Sequence, residues 1–335
     1  MEIVFTINPY SGYGALKGKK KVLEELKSVC SARGISHRFL VDEQLNFFSK
    51  DTVLVICGGD GAIFRTINYI LKLGSPPPFA IIPMGTGNDI ARATGWYEIW
   101  ERGGASGFID ALIASRCNDF DVWELSRRGG NEKWCFSAYL GIGLDAKGVK
   151  YYEALLSFWG RMVKFPFMKR LYYILAGIRL LISEGSPFKR DAGNIKGAVT
   201  IKEDDVCFEC PSKGVLLFSN IGNYMGGVWL SDSTRFDDGL LDIFLWPTPK
   251  DFLKFAIRGT PPAIFKKDIK KVFFSIPKGL YGQADGEFLG ELPSGDYCIG
   301  LSRVLPILIP PKGVLALQPS ETKFCLASPA NSTIA

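Results

Sequence analysis

The chain has 335 residues, of which 47% are hydrophobic and 22% are charged. This composition excludes an intrinsically disordered polypeptide, and at roughly 150 residues per domain the length predicts two domains with substantial cores. The formal net charge of +6 indicates a modest preference for anionic ligands or membranes. It is too small for the footprint of a nucleic-acid-binding protein, so no nucleic-acid partner is expected.

An alternation of strands and helices is predicted over residues 1–120. The strand-like apolar runs are EIVFTI from Glu2, TVLVIC from Thr52 and FAIIP from Phe79, and the helical patterns lie at Leu16 to Arg33, at Ala62 to Leu73 and near Ile90. Nearly continuous apolar strands that alternate with helices are typical of a parallel sheet covered on both faces. This part of the chain is therefore predicted to be an open α/β domain with a mostly parallel sheet.

After Cys117 the pattern changes to many short strands separated by Gly, Asp and Pro turns. The strand-like stretches are DFDVWEL, KWCFSAYL, GAVTIK, GVLLFSN, LLDIFLW, KVFFSI and YCIGL. This spacing predicts a second domain over residues 121–315, a mostly antiparallel β-sandwich. A helical insertion at residues 150–183, broken at Pro166, interrupts it, and residues 316–335 are predicted to form a loose tail.

The cysteines and the apolar runs indicate a cytosolic protein. The 8 cysteines are scattered along the chain, and we interpret them as reduced thiols. Cys207 and Cys210 form a single CxxC without a second pair at zinc spacing, so no metal is expected there. The first residues lack a basic region followed by a long apolar one, so no secretory signal is expected. The longest charge-free run, Gly214 to Ser231, contains glycines and polar residues and indicates a strand and turn.

A glycine-rich turn follows the strand TVLVIC. It consists of Gly58, Gly59, Asp60 and Gly61 and stands directly before a predicted helix. Glycine lets the backbone approach a ligand closely, so several N–H groups and a helix N-terminus can converge on a phosphate. A tight strand-to-helix turn without a ligand is the alternative.

Two more polar, glycine-rich loops follow strands of the same sheet. One contains Asn8, Pro9, Ser11, Gly12 and Gly14, and the other contains Gly85, Thr86, Gly87, Asn88 and Asp89. Loops at the carboxyl ends of parallel strands face one crevice, so the three loops predict a nucleotide site. GALKGKKK has the wrong glycine spacing for a P-loop, and the glycines at 141 and 143 lack the βαβ unit of a dinucleotide fingerprint.

Five motifs stand in order along the chain: NPYSG at Asn8, GGDGAIFRTIN at Gly58, PMGTGNDIAR at Pro83, DDGLLD at Asp237 and QADGE at Gln283. Together they resemble the diacylglycerol kinase catalytic family, which includes bacterial soluble lipid kinases, sphingosine kinases and ceramide kinases. The resemblance extends from the first strand to about Pro311. GGDG alone is shared with NAD kinases, whereas PMGTGNDIAR fits lipid kinases better.

The resemblance implies an ATP-binding α/β domain, a β-sandwich-like domain after it, and an active site in the cleft between them. The residues implied to line the nucleotide phosphates are Asn8, Ser11, Gly58, Gly59, Asp60, Gly61, Ala62, Ile63, Phe64, Gly85, Thr86, Gly87 and Asn88. Asp285 falls at the position of the general base, and Glu287 is its acidic companion. A carboxylate can accept the proton of a lipid hydroxyl during phosphoryl transfer. A solvated Asp-Gly turn is the alternative.

The same resemblance implies two roles for Mg²⁺. Asp238, with the backbone carbonyls of Arg235 and Leu240, matches the position of a structural Mg²⁺, and oxygen ligands suit this cation. An exposed Asp-Gly turn is the alternative. A second Mg²⁺ would bridge the ATP phosphates, with Asp60 as a candidate to orient it through water.

Two positions depart from the family's pattern. Ala62 stands where the family commonly has a threonine after GGDG, and Thr66 follows one helical turn later. Val41 aligns with a threonine that commonly ends the second strand. Phosphate contacts are therefore expected to depend more on backbone donors, or nucleotide affinity to be reduced.

Aromatic and aliphatic residues are interleaved with basic ones between Leu155 and Ile182, a stretch that includes Lys164, Lys169 and Arg170. Such a surface would suit an enzyme that draws its substrate from an anionic bilayer. An ordinary packed helix with solvated charges is the alternative. We expect peripheral membrane association in the cytoplasm, with the oligomeric state open between a monomer and a homodimer.

These observations predict an ATP- and Mg²⁺-dependent lipid kinase that converts diacylglycerol to phosphatidic acid. A sphingosine or other long-chain-base kinase, an NAD kinase and a non-catalytic lipid or nucleotide binder are the alternatives. A Ser/His/Asp hydrolase is disfavoured, because the single histidine, His37, lies at the start of the second strand and is expected to be structural or exposed.

Overall fold

A computed structural model of the chain describes residues 2–7, 16–41, 48–49, 51–85, 87–159, 194–201, 204–211, 214–258 and 264–311. Several predicted features lie outside the described residues: Asn8, Ser11, Thr86, most of the helical insertion with its basic residues, and the tail at 316–335. The described strands form two large sheets and one short hairpin.

Parallel strands form the N-terminal part of the first sheet. They are β1 (Glu2–Ile7), β2 (Ser36–Val41), β3 (Thr52–Gly58) and β4 (Phe79–Pro83), in the order β2-β1-β3-β4. The helices of this part are α1 (Leu16–Ala32), α2 (Asp60–Ile70), α3 (Asp89–Ala93) and α4 (Trp96–Ile113). Every residue of β3 and β4 is buried, as expected for parallel strands covered on both faces. The predicted open α/β arrangement is confirmed.

The following elements are mostly strands. They are β5 (Arg116–Arg127), β6 (Lys133–Phe136), β7 (Tyr139–Gly143), α5 (Leu144–Trp159), β8 (Asn194–Ile201), β9 (Asp204–Pro211), β10 (Val215–Ser219), β11 (Asn223–Tyr224), β12 (Val228–Trp229), β13 (Leu241–Trp246), α6 (Pro249–Arg258), β14 (Ile264–Ile269), β15 (Lys271–Ile276), β16 (Leu280–Ala284), β17 (Glu287–Leu292) and β18 (Gly295–Ile309). The second sheet has the antiparallel order β14-β13-β10-β7-β16-β17.

A core of large side chains lies between the two sheets. Trp123, Phe274 and Tyr297 come from the first sheet, and Phe218 comes from the second. The ring of Phe274 is 5.4 Å from that of Phe218 and stacks on Tyr297 at 5.9 Å. Each such ring contributes about 2 kcal/mol by removing apolar area from water. The predicted mostly antiparallel sandwich is confirmed.

The long strand β18 joins the two halves of the molecule. It pairs antiparallel with β5 and β15 and lies parallel to β4, where Ile307 is opposite Phe79. The first sheet is therefore continuous across the predicted boundary between residues 120 and 121, which falls inside β5. The hydrophobic core crosses the same boundary, with the rings of Phe120 and Phe236 5.8 Å apart. The division into two domains stays a prediction.

The stretch KWCFSAYL forms two strands instead of the single strand that its pattern predicts. β6 ends at Phe136 and β7 begins at Tyr139. The strand is interrupted at Ser137 and Ala138, where the backbone N–H groups donate to the carboxylate of Asp285. A residue distant in sequence therefore sets this boundary.

The helical insertion begins earlier than its pattern predicts. α5 starts at Leu144, directly after β7, and its described part ends at Trp159. None of the helices in the described ranges is long and apolar enough to cross a membrane.

Candidate active site

Two of the three predicted glycine loops lie in backbone contact at the carboxyl ends of β3 and β4. These strands are neighbours, with Gly58 opposite Pro83. A Cβ added to Gly59 would lie 2.7 Å from Cα of Gly85, closer than real side chains approach a backbone. Glycine at both positions is therefore required for the loops to meet.

Asn88 shapes the second of these loops. Its backbone has φ +55°, in the left-handed region that asparagine adopts more readily than most residues. Its Oδ1 accepts the N–H of Gly85 at 2.8 Å, and its Nδ2 donates to the carbonyl of Gly85 at 3.2 Å. The side chain of Asn88 thus holds the loop in the shape that meets Gly59.

The first turn of α2 offers backbone donors to the cleft. The N–H groups of Ala62 and Ile63 both donate to the carbonyl of Gly59, at 2.9 and 3.1 Å. Those of Asp60 and Gly61 come first in the helix, where no preceding turn supplies an acceptor. A phosphate at this point would accept hydrogen bonds from them at the positive end of the helix dipole.

The side chains that follow Gly61 contribute little to the cleft. Ala62 and Ile63 are buried in the N-terminal core, and Phe64 packs against the core between the two sheets. Thr66 is also buried, and its Oγ1 has no hydrogen-bond partner in the protein. It therefore does not replace the hydroxyl that Ala62 lacks, and the geometry agrees with phosphate contacts made by the backbone.

Asp60 connects the two glycine loops. Its Oδ1 accepts the N–H of Ile90 at 3.3 Å, and its Oδ2 would lie 2.7 Å from a Cβ added to Gly87. Burial, and then the nearby carboxylates of Asp89 and Asp285, raise the pKa of Asp60 well above its ordinary value. Acidic side chains from both halves of the molecule therefore interact at this point.

Asp89 holds the second glycine loop against the C-terminal half, a role that its sequence position did not predict. The residue is 1% exposed. Its carboxylate accepts the N–H groups of Gly226 at 3.1 Å and Gly227 at 2.7 Å, and the Nδ2 of Asn223 at 2.9 Å. The hydroxyl of Tyr139 donates to it at 3.3 Å. Because these donors lie on the β11–β12 hairpin and on β7, Asp89 links the two halves.

Asp285 is buried, and both oxygens of its carboxylate are engaged. Oδ1 accepts the N–H groups of Ala138 at 2.8 Å and Tyr139 at 3.0 Å, and Oδ2 accepts the N–H and the hydroxyl of Ser137, both at 2.8 Å. The residue is 1% exposed, which contradicts the alternative that Asp285 lies in a solvated Asp-Gly turn. Burial raises the pKa of Asp285, and these donors oppose the rise. Its assignment as the general base stays a prediction.

Glu287 lies across the cleft from the GGDG turn. Its Oε1 is 3.2 Å from Nη1 of Arg65 on α2. The same oxygen lies so close to Gly61 that a Cβ there would collide with it. The turn that carries Asp285 and Glu287 therefore faces the GGDG turn across a single gap, which is the arrangement expected of an active site between the two halves.

Comparison with known proteins finds a family to which the first part of the chain is similar. The family model for the diacylglycerol kinase catalytic domain matches residues 2–125, which include both described glycine loops. This match agrees with the resemblance that the five motifs indicate.

Several diacylglycerol kinases are similar to this chain. Diacylglycerol kinases 1 and 2 of Arabidopsis thaliana are 28% and 30% identical over 55% of this chain, which spans only 26% and 28% of their lengths. The diacylglycerol kinase of Mycobacterium tuberculosis (strain ATCC 25618 / H37Rv) is 26% identical over 86% of this chain and 89% of its own length. A crystal structure of a diacylglycerol kinase from Bacillus anthracis str. Sterne, 17% identical, shares the fold with a TM-score of 0.59 over 93% of this chain and 98% of that one.

Two carboxylates lie at the turn that the resemblance assigns to a structural Mg²⁺. Oδ1 of Asp238 accepts the N–H of Leu240 at 3.0 Å, and Oδ2 of Asp121 accepts that of Gly239 at 2.7 Å. Partial burial, together with the carboxylates of Asp121 and Asp237, raises the pKa of Asp238 to about 6. A hard divalent cation would relieve this repulsion, so the residues present fit Mg²⁺.

The ligand set that the resemblance implies for this metal site stays a prediction. The side chain of Arg235 pairs with Asp237, with Nε 2.9 Å from Oδ1. A guanidinium has no acceptor atom, so Arg235 could offer a metal only its carbonyl. Asp238 is exposed, as the alternative of an Asp-Gly turn also requires. Across the described part of the chain, no group of three or more His, Cys, Asp or Glu side chains is arranged to hold a metal ion.

Asp145, in the first turn of α5, is a buried acidic residue that the sequence analysis did not single out. It is 4% exposed, and its Oδ2 accepts the hydroxyl of Tyr224 at 3.2 Å and the Nε2 of Gln283 at 3.1 Å. A Cβ on Gly141 would collide with this oxygen, so Gly141 is explained by packing and not by a dinucleotide. Burial raises the pKa of Asp145 to about 6.

Asp145→Asn is expected to flatten the dependence of stability on pH. In the unfolded chain the pKa of Asp145 is about 4, whereas in the folded protein it is about 6. Between about pH 4 and about pH 6 the folded protein therefore binds this proton more tightly than the unfolded chain does. The free energy of unfolding of the parent therefore falls as the pH rises through this window, by at most about 3 kcal/mol. Asparagine removes this decline. Denaturant unfolding at about pH 4 and about pH 7 measures it, and parallel slopes for the two proteins would contradict the burial of a titrating Asp145.

His37 and the CxxC pair lie on strands and are not among the residues that line the candidate cleft. His37 is half-buried in β2, and its Nδ1 is 2.9 Å from the carbonyl of Ile35. Cys207 and Cys210 are on β9, which pairs antiparallel with β8.

Proposed function

We propose that the protein is an ATP-dependent lipid kinase that phosphorylates the free hydroxyl of diacylglycerol to give phosphatidic acid. The observation that carries this proposal is that Glu287, beside Asp285, lies directly over Gly61 of the GGDG turn. A triphosphate and an alcohol would meet in that gap. The family match over residues 2–125 and the match to a bacterial diacylglycerol kinase over 86% of the chain support a lipid as the acceptor.

In the proposed reaction the phosphates of ATP lie against the N–H groups of Asp60 and Gly61. The oxygen of the lipid hydroxyl forms a bond to the γ-phosphorus, the bond from that phosphorus to the β-phosphate oxygen breaks, and ADP leaves. The hydroxyl proton passes to a carboxylate. Mg²⁺ would neutralise charge on the phosphates, and Asp60 would orient it through water.

Asp285 is the proposed general base, and one of its hydrogen bonds must be released before it accepts a proton. Its donors are three backbone N–H groups and the hydroxyl of Ser137. Only the hydroxyl can rotate away without a change in the backbone. We infer that the lipid hydroxyl replaces the Ser137 hydroxyl on Oδ2, and that the cleft opens locally to admit it.

A panel of acceptors tests this function. The protein is incubated with labelled ATP, Mg²⁺ and micelles that contain diacylglycerol, sphingosine or ceramide, and in a separate reaction with NAD. Labelled phosphatidic acid is the expected product. Transfer of the labelled phosphate to sphingosine or NAD, and not to diacylglycerol, would contradict diacylglycerol as the substrate. ATP binding without transfer to any acceptor would support a non-catalytic binder.

We propose further that the enzyme works at the surface of an anionic membrane. The predicted basic stretch around Lys164 lies outside the described residues, but a second surface adjoins the cleft. Nζ of Lys150 lies 5.2 Å from the ring of Tyr281 and 5.7 Å from that of Phe288, and these rings stack at 5.8 Å. Nζ of Lys147 is 5.5 Å from Tyr281. Lysines beside aromatic rings suit the headgroup region of a bilayer.

Replacing Lys147 and Lys150 together with Ala is expected to weaken binding to anionic vesicles about 30-fold, because each lysine near the surface contributes about 1 kcal/mol. Co-sedimentation with phosphatidylserine vesicles measures this, while activity on micelle-dispersed lipid is expected to persist. Lys20 and Lys21, exposed on α1, provide a matched double variant. If both double variants lost vesicle binding equally, net charge and not the surface around Tyr281 would determine membrane binding, and the proposal for this surface would be wrong.

A further inference from the structure

Arg65 and Glu287 form an ion pair across the cleft. Arg65 lies on α2 and Glu287 begins β17, and their Nη1 and Oε1 atoms are 3.2 Å apart. Both side chains are partly accessible, with exposed fractions of 44% and 35%. An accessible pair of this kind contributes little to stability, so either side chain can exchange its partner at low cost.

Arg65 is directed toward the first turn of α2. It follows Gly61 by four residues, so the two share one face of the helix, and helical side chains lean toward the N-terminus. Nη1 of Arg65 would lie 3.7 Å from a Cβ added to Gly61. The guanidinium is therefore beside the N–H groups that face the cleft.

The carboxylate of Glu287 occupies a position that suits an anion. It lies over Gly61, so close that only glycine leaves room for it. That position is at the positive end of α2 and next to a guanidinium, which is also the environment that a phosphate group prefers. Glu287 therefore stands where a phosphate oxygen of a bound nucleotide would compete with it.

We propose that Arg65 binds the terminal phosphate of ATP, and that Glu287 holds its guanidinium at the cleft until the phosphate displaces the carboxylate. This assignment rests on the proposed function and adds to it a side-chain contact beyond the backbone donors of the GGDG turn. A phosphate carries more negative charge than a carboxylate and matches the fork of the guanidinium, so the exchange favours the nucleotide. Arg92, another cation near the loops, is stacked 3.5 Å over Tyr97 and donates to the carbonyl of Gly87 at 3.3 Å.

Binding of ATP and ADP to the full chain in the presence of Mg²⁺ tests the assignment without any need for lipid turnover. Arg65→Gln is expected to weaken ATP about 20-fold and ADP less than about 3-fold, because ADP lacks the terminal phosphate. Arg65→Lys is expected to recover part of the loss. Glu287→Gln is expected to tighten ATP about 3-fold, since it removes the competing carboxylate.

Arg102→Gln, on the exposed surface of α4, is the matched control and is expected to bind both nucleotides as the parent does. Thermal unfolding verifies that each variant is folded. Equal weakening of ATP and ADP by Arg65→Gln, or no weakening, would overturn the role of Arg65, and weaker ATP binding by Glu287→Gln would overturn the competition. Failure of the parent to bind ATP would overturn the proposed function itself and this assignment with it.

Discussion

Asp285→Asn is expected to abolish phosphoryl transfer and also to destabilise the fold. An asparagine can keep one oxygen toward Ala138 and Tyr139, but its NH₂ group then faces the N–H of Ser137, donor against donor. Hydrogen bonds to a charged group contribute about 1.5–3 kcal/mol each, and neutralising a buried carboxylate recovers part of its desolvation cost. The expected net loss is about 2–3 kcal/mol in the free energy of unfolding, with at least a 100-fold loss of transfer rate if Asp285 is the base.

Ser137→Ala separates the two effects of that change. It removes only the hydroxyl donor and leaves the three backbone donors in place, so we expect a stability loss of about 1.5–3 kcal/mol and continued transfer. Denaturant unfolding and the labelled-ATP assay measure both variants. An Asp285→Asn protein as stable as the parent would contradict the observed hydrogen bonds, and one that is stable and fully active would rule out Asp285 as the base.

Gly85→Ala is expected to abolish nucleotide binding by forcing apart the two loops that form the site. An added Cβ would lie 2.4 Å from Cα of Gly59, and because the obstacle is backbone, no side-chain rotation relieves the collision. Overpacking of this kind costs about 1–3 kcal/mol, and a loop displacement near 1 Å weakens a positioned interaction about 100-fold. Gly59→Asp is expected to have the same effect, with a negative charge added where phosphate would bind.

Gly107→Ala is the control for this change. Gly107 lies in α4, and a Cβ there meets no atom within 4 Å, so alanine is expected to leave nucleotide binding unchanged. Titration with a fluorescent ATP analogue, with circular dichroism to verify folding, compares the variants. A Gly85→Ala protein that binds ATP like the Gly107→Ala protein would refute the placement of the nucleotide at these loops.

The strands and glycine loops were predictable because their signals are local. β3 and β4 are runs of apolar residues that only a doubly covered sheet can bury, and Gly58 to Gly61 directly follow one of them. The order of the parallel strands then brings the turns together at one edge. Long-range pairing gives no such signal, and KWCFSAYL was therefore predicted as one strand, although Asp285 divides it.

The roles of the acidic residues in the cleft were less predictable for the same reason. The sequence around Asp89 indicates only an acidic residue at the start of a helix, and its partners Gly226 and Gly227 are far away in the chain. Both glycines have left-handed backbone, with φ +84° and +95°. Glycines of this kind indicate a turn, but they do not indicate which side chain the turn binds. Asp-Gly at Asp285 is a common hairpin signal, and nothing local indicates that Ser137 to Tyr139 enclose it. The resemblance located these residues, and only the tertiary contacts define what each one touches.

The course of β18 affects how the protein could be shortened. The family match ends at residue 125. The strand that lies beside β4 on its outer side in the sheet is β18, which ends at Ile309. A fragment cut at residue 125 would leave the flank of β4 and the ring of Phe79 open to water, with unpaired main-chain groups ready to associate with other chains. The match to the family model therefore ends well before the first sheet is complete, and truncation at residue 125 is expected to yield an aggregating fragment instead of a minimal nucleotide-binding module.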